Sequence, residues 1–138
     1  MSHRRRLPKA QGEAAESVFL CRAVSLGLTV SKPWGESAKY DFIVDNGSRL
    51  VRVQVRSVST PYENAFRIST ASGNHAKIPY TRKDIDLLAG YVEPHDAWYL
   101  IPVEALAPVA TIWVFPHRTS RRSHRFERFR EAWELLGE

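Results

Sequence analysis

The sequence predicts a mixed α/β or α+β domain, and three observations lead to this prediction. A segment with helical periodicity opens the chain, short apolar segments of strand character fill its middle, and a second helical pattern closes it. At 138 residues, the chain has the length of about one domain. It contains no internal repeat, no glycine-rich phosphate loop and no convincing linker. We therefore predict a single domain over residues 1–138, with residues 1–8 as a flexible basic tip.

The first element is a helix predicted within "KAQGEAAESVFLCRAVSLGL". Its apolar positions recur at helical spacing and are Ala15, Val18, Phe19, Ala23 and Leu26. Gly27 is placed to end the helix. Cys21, the only cysteine in the chain, lies within it and is interpreted as a small buried apolar residue.

A β-hairpin is predicted next, in "KYDFIVDNGSRLVRVQVRS" over residues 39–57, after a short extended entry at "TVSKPWGES". The pair Asn46-Gly47 readily adopts the left-handed backbone that a tight hairpin turn needs. The second strand alternates strictly. Valines at 51, 53 and 55 mark one face, and Arg52, Gln54 and Arg56 mark the other.

The rest of the chain adds strands and helices around a polar connection. Residues 58–79 are predicted to be mostly irregular, with a short strand at "AFRIST". The segments "DLLAGYV" and "AWYLIPV" predict buried strands separated by the turn "EPHD". A short helix at "VEALAP", a strand at "ATIWVF" and a final helix over "RFERFREAWELLGE" follow. In that helix, Phe126, Phe129, Trp133 and Leu136 are expected to pack inward.

Composition and charge narrow the class of protein. No apolar segment approaches the roughly 20 residues that a membrane-spanning helix needs. A lone cysteine excludes an internal disulfide, and no cysteine–histidine cluster has zinc spacing. We therefore expect a cytoplasmic protein. The net charge of +5 is concentrated in "HRRR" and "HRTSRRSHRFERFR", which favours a polyanionic partner such as nucleic acid. The alternative is a solvated basic surface.

The polar face of the hairpin suggests a metal site. Asp41 lies at the start of the first strand, and Gln54 and Arg56 point the same way on the second. A carboxylate from Glu16 or Glu13 on the first helix could join them, and hard oxygen donors of this kind suit Mg²⁺. Arg56 would then add a fixed positive charge for a phosphate. The alternative is the ordinary solvated face of an antiparallel hairpin.

The order "GEAAE…YD…QVR" resembles the PD-(D/E)XK nuclease superfamily, whose signature is an acid followed by (D/E)-x-K on the next strand. The resemblance is closest to the endonuclease branch typified by cyanobacterial group I intron homing enzymes, through "YDFIVD", "RVQVRS" and "YTRKDIDLLAGYV…WYLIPVEAL". Archaeal Holliday-junction resolvases are more distant relatives. The resemblance implies a restriction-endonuclease-like core, that is, an α/β fold with a mixed sheet flanked by helices.

It also implies a role for each site residue. Asp41 would be the central metal ligand, Gln54 would take the place of the second acid, and Arg56 that of the lysine. Glu16 would be the helix acid, with Glu13 as the alternative. The implied cofactor is Mg²⁺, for which Mn²⁺ can substitute, and the implied activity is metal-dependent hydrolysis of DNA phosphodiester bonds.

Two departures from that signature keep a second function open. Gln54 is neutral, which removes one charge from the metal site. Arg56 is planar and effectively never deprotonated, so it cannot act as a general base. The leading hypothesis is a DNA endonuclease, with a catalytically impaired DNA-binding module of the same fold as the alternative. A protein-interaction domain with incidental basic ends is the third.

The expected partner is double-stranded DNA. The arginines expected to contact phosphate are Arg118, Arg121, Arg122 and Arg125. Contacts to base edges are expected from the connection 58–79, through Tyr62, Asn64, Arg67, Asn74, His75 and Lys77. Because cutting both strands at one site needs two active sites, we expect a homodimer or homotetramer, as the resemblance also suggests.

Overall fold

The computed structural model describes residues 8–73, 77–106, 108–118 and 124–137. The helices are α1 (Pro8–Ser25), α2 (Val103–Leu106) and α3 (Glu134–Gly137), with 3₁₀ helices at Glu93–His95 and Glu127–Phe129. The strands are β1 (Thr29–Ser31), β2 (Phe42–Asp45), β3 (Leu50–Val58), β4 (Phe66–Ser69), β5 (Ala71–Ser72), β6 (Ile78–Pro79), β7 (Leu87–Val92), β8 (Ala97–Pro102) and β9 (Thr111–Val114). None of the helices in these ranges is long and apolar enough to cross a membrane.

Five strands form the main sheet, in the order β1-β2-β3-β7-β8. β3 and β7 are parallel, and the other neighbours are antiparallel, so the sheet is mixed. Every residue of β7 is buried, as expected for a central strand that is covered on both faces. The other strands in the described ranges form two small antiparallel sheets, β4–β9 and β5–β6. The predicted strands at "DLLAGYV", "AWYLIPV" and "ATIWVF" are confirmed.

Helix α1 packs on one face of the main sheet. Its inward stripe is Ala15, Phe19 and Ala23, spaced four residues apart. Phe19 stacks on Phe42 of β2, with ring centroids 5.5 Å apart. The valines of β3 face the same cluster, which places the polar residues of β3 on the other face of the sheet.

The stripe on α1 is narrower than the sequence predicted. Val18 is 37% exposed, and Leu26 lies beyond the end of the helix and is 51% exposed. Cys21 is also exposed, so its interpretation as a buried apolar residue is wrong. The small residues Ala15 and Ala23 bring the helix close to the sheet along one row, and the neighbouring rows are left facing solvent.

The turn of the hairpin is a four-residue loop between Asp45 and Leu50, which face each other across β2 and β3. Gly47 adopts a positive φ of 91°, which glycine tolerates without strain. The Asp45 and Asn46 side chains accept hydrogen bonds from backbone N–H groups inside the loop. The predicted hairpin is therefore confirmed, but only Gly47 of the pair Asn46-Gly47 has the predicted left-handed backbone, and side-chain acceptors fix the rest of the turn.

The connection 58–79 is more regular than expected. The predicted strand at "AFRIST" is β4, which pairs with β9, and the short pair β5–β6 follows it. Thr70 is fully buried between β4 and β5, where its hydroxyl donates to the Val109 carbonyl at 2.6 Å. These contacts fold the connection over the face of the main sheet that carries the polar residues of β3.

The predicted final helix over residues 125–138 is wrong. A 3₁₀ turn at 127–129 leads into extended backbone at Arg130, which bridges to Tyr99 on β8, and within the described residues 124–137 the α-helix is confined to α3. Glu131 has a positive φ of 55°, which a helix excludes. Its carboxylate accepts a hydrogen bond from the Trp98 N–H at 3.0 Å, and its own N–H donates to the Trp98 carbonyl at 2.7 Å. Pairing with the edge of the sheet has therefore overridden helix propensity. The predicted inward packing of the segment is confirmed, since Phe126, Trp133 and Leu136 are buried and Phe129 is partly buried.

Gly90 allows β4 to approach the main sheet, and this gives a first prediction. A Cβ atom at Gly90 would lie 2.8 Å from Ile68 Cδ1, and Ile68 is itself buried. We expect Gly90→Ala to lower the free energy of unfolding by about 1–3 kcal/mol through overpacking. Ile68→Val removes that methyl group and alone should cost about 0.5–1.5 kcal/mol. In urea denaturation of the four proteins, the double variant should lose less than the sum of the two single variants. Additive losses would contradict the contact.

Candidate active site

Asp41 is held at the point where β2 begins. Its N–H donates to the Val53 carbonyl at 2.8 Å, and its Oδ2 accepts from the Val55 N–H at 2.8 Å. Because Phe42 faces Val53 in the ladder, this arrangement places Asp41 beside Gln54. The hairpin register therefore brings together the two residues that the sequence predicted to meet.

The Gln54 amide faces two acceptors. These are Asp41 Oδ2 at 3.2 Å and the Lys39 carbonyl at 2.6 Å, so the amide nitrogen is assigned to that side. A metal ligand at Gln54 would have to be its oxygen, which requires the amide to turn over. In the described part of the chain, both hydrogen bonds to Asp41 reach Oδ2, which leaves Oδ1 for a cation.

Burial raises the pKa of Asp41, chiefly because the half-buried carboxylate loses water. The hydrogen bond from Val55 opposes this shift, while the nearby charge of Glu16 raises the pKa further. The positive charges of Lys32 and Arg56 lower it. Asp41 and Glu16 therefore form a pair of carboxylates whose mutual repulsion a cation would relieve.

Of the two helix acids, Glu16 is the one whose charge acts on the Asp41 carboxylate. It influences Asp41 directly, and its Oε1 accepts from Lys32 Nζ at 2.8 Å. Glu13, one turn earlier on α1, is exposed. Both acids line an open pocket of about 380 Å³ between α1 and β2, together with Lys32 and Phe42. Glu16 is therefore the helix carboxylate that the fold brings within electrostatic range of Asp41.

Arg56 is tied to the β5–β6 side of the site. Its Nη2 donates to the Ala71 carbonyl at 3.0 Å and to the Tyr80 hydroxyl at 2.5 Å. Its guanidinium lies 5.7 Å from the centroid of the Tyr80 ring, within range of a cation–π contact. Its Nε is buried and has no partner among the described residues. Arg56 is therefore a fixed positive charge whose orientation is set by Tyr80 and Ala71.

The donor set fits a hard divalent cation. Carboxylate oxygens from Asp41 and Glu16 and the amide oxygen of Gln54 are the ligand types that Mg²⁺ prefers. Over the described residues, no three histidine, cysteine, aspartate or glutamate side chains come together. The site thus offers two carboxylates and an amide, and we expect correspondingly weak metal binding.

Three participants were not predicted from the sequence. Lys32, which follows β1, reaches Glu16 across the mouth of the pocket. The Lys39 carbonyl faces the Gln54 amide, and Tyr80 fixes Arg56. A lysine after a short strand and a tyrosine after a polar connection carry no motif, so only the folded chain reveals them.

The residues predicted to bind DNA lie apart from these carboxylates in sequence. Arg67 is exposed on β4, opposite Trp113 of β9. Arg118 and Arg125 are exposed and lie over the rings of Phe115 and Phe126. The Lys77 ammonium donates to the Gly73 carbonyl at 3.0 Å. Tyr62 and Asn64 are exposed, whereas Arg121, Arg122, Asn74 and His75 fall outside the described residues.

Comparisons with known proteins bear on both fold and family. A solved bacterial homing endonuclease is similar over 93% of this chain and 91% of that chain, with a TM-score of 0.81 and 27% identity. Hjc, a Holliday junction resolvase from the archaeal hyperthermophile Archaeoglobus fulgidus, is similar over 92% of this chain and 96% of that chain. Its TM-score is 0.58 and its identity 14%, a likeness of fold alone. No curated protein matches the sequence.

These findings confirm the predicted restriction-endonuclease-like fold, in which a mixed five-stranded sheet is flanked by helices. A family model described as PD-(D/E)XK endonuclease matches residues 7–136, which is nearly the whole chain. The predicted resemblance is thereby confirmed, and the chain belongs to the PD-(D/E)XK endonuclease family.

Proposed function

We propose that this protein is a metal-dependent endonuclease that hydrolyses phosphodiester bonds in double-stranded DNA. The observation that carries the proposal is the half-buried Asp41 carboxylate, which lies against the Gln54 amide and within electrostatic range of Glu16. An ionised carboxylate that is partly buried and lies near a second acid destabilises the folded protein. Its presence therefore favours a functional role over a structural one. Membership of an endonuclease family gives that role its chemistry.

The proposed roles follow from the geometry. Asp41, Glu16 and the Gln54 oxygen would hold the cation, Mg²⁺ or Mn²⁺. When bound, that ion supplies the Lewis-acid chemistry of phosphodiester hydrolysis, which needs activated water and a neutralised leaving oxygen. Arg56 would stabilise negative charge on the phosphate from a fixed position, because Tyr80 and Ala71 hold its guanidinium. Since it stays protonated, Arg56 would not accept the proton from water.

The finer features of the proposal are a homing type of activity, a cytoplasmic location and assembly from two or more copies. The solved structure with 27% identity is that of a homing endonuclease, which supports recognition of one target site. Contacts to phosphate from Arg118, Arg121, Arg122 and Arg125 would position the protein on DNA. Arg67 and Lys77 are proposed to contact the DNA from the connection 58–79. A homodimer or homotetramer would supply the two active sites that a double-strand break needs.

The proposal is tested by cleavage of a supercoiled plasmid that carries DNA from around the gene. We expect the parent protein to nick or linearise this plasmid in Mg²⁺ or Mn²⁺ and to leave it intact in EDTA. A plasmid without that insert is the control, because a site-specific enzyme should leave it uncut. Cleavage that persists in EDTA would contradict the metal mechanism.

A second function has its own supporting observation. Arg56 is held by Tyr80 and Ala71, and an immobile guanidinium is poorly suited to follow a moving water molecule. This favours a DNA-binding module of the same fold with impaired catalysis. Arg56→Lys, tested in the same plasmid assay, separates the two functions. If only the lysine variant cuts, the natural chain is a DNA binder, whereas a parent that cuts as well as the variant supports the enzyme.

A further inference from the structure

Lys32 places a second, less constrained positive charge at the site. It follows β1 directly, and its ammonium Nζ lies 2.8 Å from Glu16 Oε1. The charges of Glu16, Asp41 and Glu13 all act on this ammonium, and Glu16 is its hydrogen-bond partner. The nearest lysine along the chain, Lys39, pairs instead with Asp84 at 3.3 Å. Lys32 is therefore the lysine that the fold directs to the paired carboxylates.

Lys32 differs from Arg56 in its freedom to move. Its side chain is 65% exposed; it forms an ion pair with Glu16 and a cation–π contact with Phe42, whose ring centroid lies 5.0 Å away. Arg56 is bound to a backbone carbonyl and a tyrosine hydroxyl. An exposed ion pair is weak, and an ammonium on a flexible stem can turn to a new partner.

We propose that Lys32 supplies the mobile cation of this active site, pairing with Glu16 while no metal is bound and turning toward the DNA phosphate once a metal is bound. This proposal rests on the proposed nuclease function. The position that the family signature gives to a lysine is occupied here by Arg56, whose orientation is fixed. Lys32 lies in the pocket between α1 and β2, whereas Arg56 lies on the β5–β6 side of the site. Lys32 thus provides the movable ammonium that is missing from β3.

Charge balance explains the exchange. Two carboxylates close together repel each other, and the Lys32 ammonium offsets part of that repulsion. A divalent cation held by Asp41 and Glu16 would bring twice the charge to the same carboxylate, so it would compete with the ammonium that pairs with Glu16. The ammonium released in this way stays at the mouth of the pocket between α1 and β2, on the side open to solvent. A DNA phosphate bound beside these carboxylates would offer the ammonium a new anionic partner.

The first test measures metal binding without DNA. In calorimetric titration with Mn²⁺, Lys32→Ala should bind the metal about two- to fivefold more tightly than the parent, which is the strength of a typical exposed ion pair. Lys83→Ala is the matched control. It removes one exposed lysine from the turn before β7 and should leave the affinity unchanged. An unchanged or weaker affinity in Lys32→Ala would overturn the competition.

The second test measures cleavage at saturating Mn²⁺. Lys32→Ala should cut about a hundredfold more slowly than the parent, the lower end of the loss seen when one donor to a transition-state anion is removed. Lys32→Arg keeps the charge and should recover part of the rate. Tighter metal binding combined with slower cutting is a signature that a merely structural lysine would not produce. Undiminished cutting by Lys32→Ala would overturn the role at the phosphate.

The two proposals fail in distinguishable ways. If the parent never cuts its target, the nuclease function fails, and the titration still decides whether Lys32 and the metal compete for Glu16. If the parent cuts and Lys32→Ala shows parental affinity and rate, the nuclease function stands and the role of Lys32 is rejected.

Discussion

Replacing Asp41 with asparagine is expected to abolish metal-dependent cleavage, with a loss of at least about a thousandfold. Asp41 provides one of only two carboxylates in the described site, and stabilisation by the metal contributes several kcal/mol to such reactions. The measurement is the rate of plasmid cleavage at saturating Mg²⁺, with binding to the same DNA followed in parallel. Binding should persist, because the residues expected to contact phosphate lie elsewhere in the chain.

The same variant is expected to be more stable than the parent at neutral pH in EDTA. Asparagine can still accept the Val55 N–H, and it removes a carboxylate whose ionised form is penalised by burial. The pKa of Asp41 is raised in the folded state, so the parent loses stability as pH rises from the ordinary aspartate range through that raised value. The advantage of Asp41→Asn should therefore be greatest near pH 7 and shrink as the pH falls. Denaturant unfolding at a series of pH values measures it.

A matched control lies on the same strand. Asp45 is exposed at the other end of β2, where its carboxylate accepts a hydrogen bond from the turn. Asp45→Asn makes the same chemical change outside the site and should leave the cleavage rate near that of the parent. If Asp41→Asn cuts as fast as Asp45→Asn, the carboxylate that we assign to the metal has been misplaced.

The parts of the site that the sequence predicted are those set by local rules. Strand alternation fixes which face Gln54 takes, and the four-residue loop between Asp45 and Leu50 sets the register that brings Gln54 next to Asp41. Helical spacing likewise places Glu16 one turn from Glu13. Each inference used residues close in sequence, or paired across one turn, for which geometry leaves few alternatives.

The parts that could not be predicted depend on contacts between distant segments. Tyr80 meets Arg56 only because the connection 58–79 folds back over the sheet. Lys32 meets Glu16 because β1 joins the edge of β2, and a three-residue strand leaves almost no periodic signal. The exposure of Cys21 has the same origin, since alanines at 15 and 23 decide which row of the helix approaches the sheet.

The C-terminal segment shows most clearly that contacts between distant segments escape prediction from sequence. It also contains Glu127, whose replacement is expected to have the second large effect. The charged residues at 127 and 131 fit a solvated helix by pattern, yet Glu127 is fully buried in the structure. Its carboxylate accepts from the Tyr99 hydroxyl at 2.8 Å and from the Phe115 N–H at 3.0 Å. It also lies 3.7 Å from the Arg130 guanidinium. Burial of Tyr99 and its hydrogen bond to Glu127 raise the pKa of the Tyr99 hydroxyl, so the tyrosine keeps its proton and remains a donor.

Glu127→Ala is expected to lower the free energy of unfolding by about 3–5 kcal/mol, because it leaves a buried hydroxyl and a backbone N–H without their acceptor. It also removes the anion beside Arg130, whose guanidinium keeps its hydrogen bond to the Pro116 carbonyl at 2.7 Å. Glu127→Gln keeps the size and one acceptor oxygen but loses the charge, so its loss should be smaller. Urea denaturation followed by circular dichroism measures both variants. Glu134→Ala is the control, since Glu134 is exposed in the same segment and its loss should stay within about 0.5 kcal/mol.

The opposite signs expected for Asp41 and Glu127 separate two kinds of acid shielded from water. Glu127 faces three groups that need an acceptor or an anion, so removing its carboxylate should destabilise the fold. At Asp41, the cost of burying the ionised carboxylate exceeds the stabilisation that its hydrogen bond and positive neighbours provide. Removing its charge should therefore stabilise the metal-free protein. A loss of stability at both positions would mean that Asp41 is retained for the fold, which would weaken its assignment to the metal. If stability rises in Asp41→Asn and falls in Glu127→Ala, the protein keeps a destabilising carboxylate at position 41, as expected for a residue retained for function.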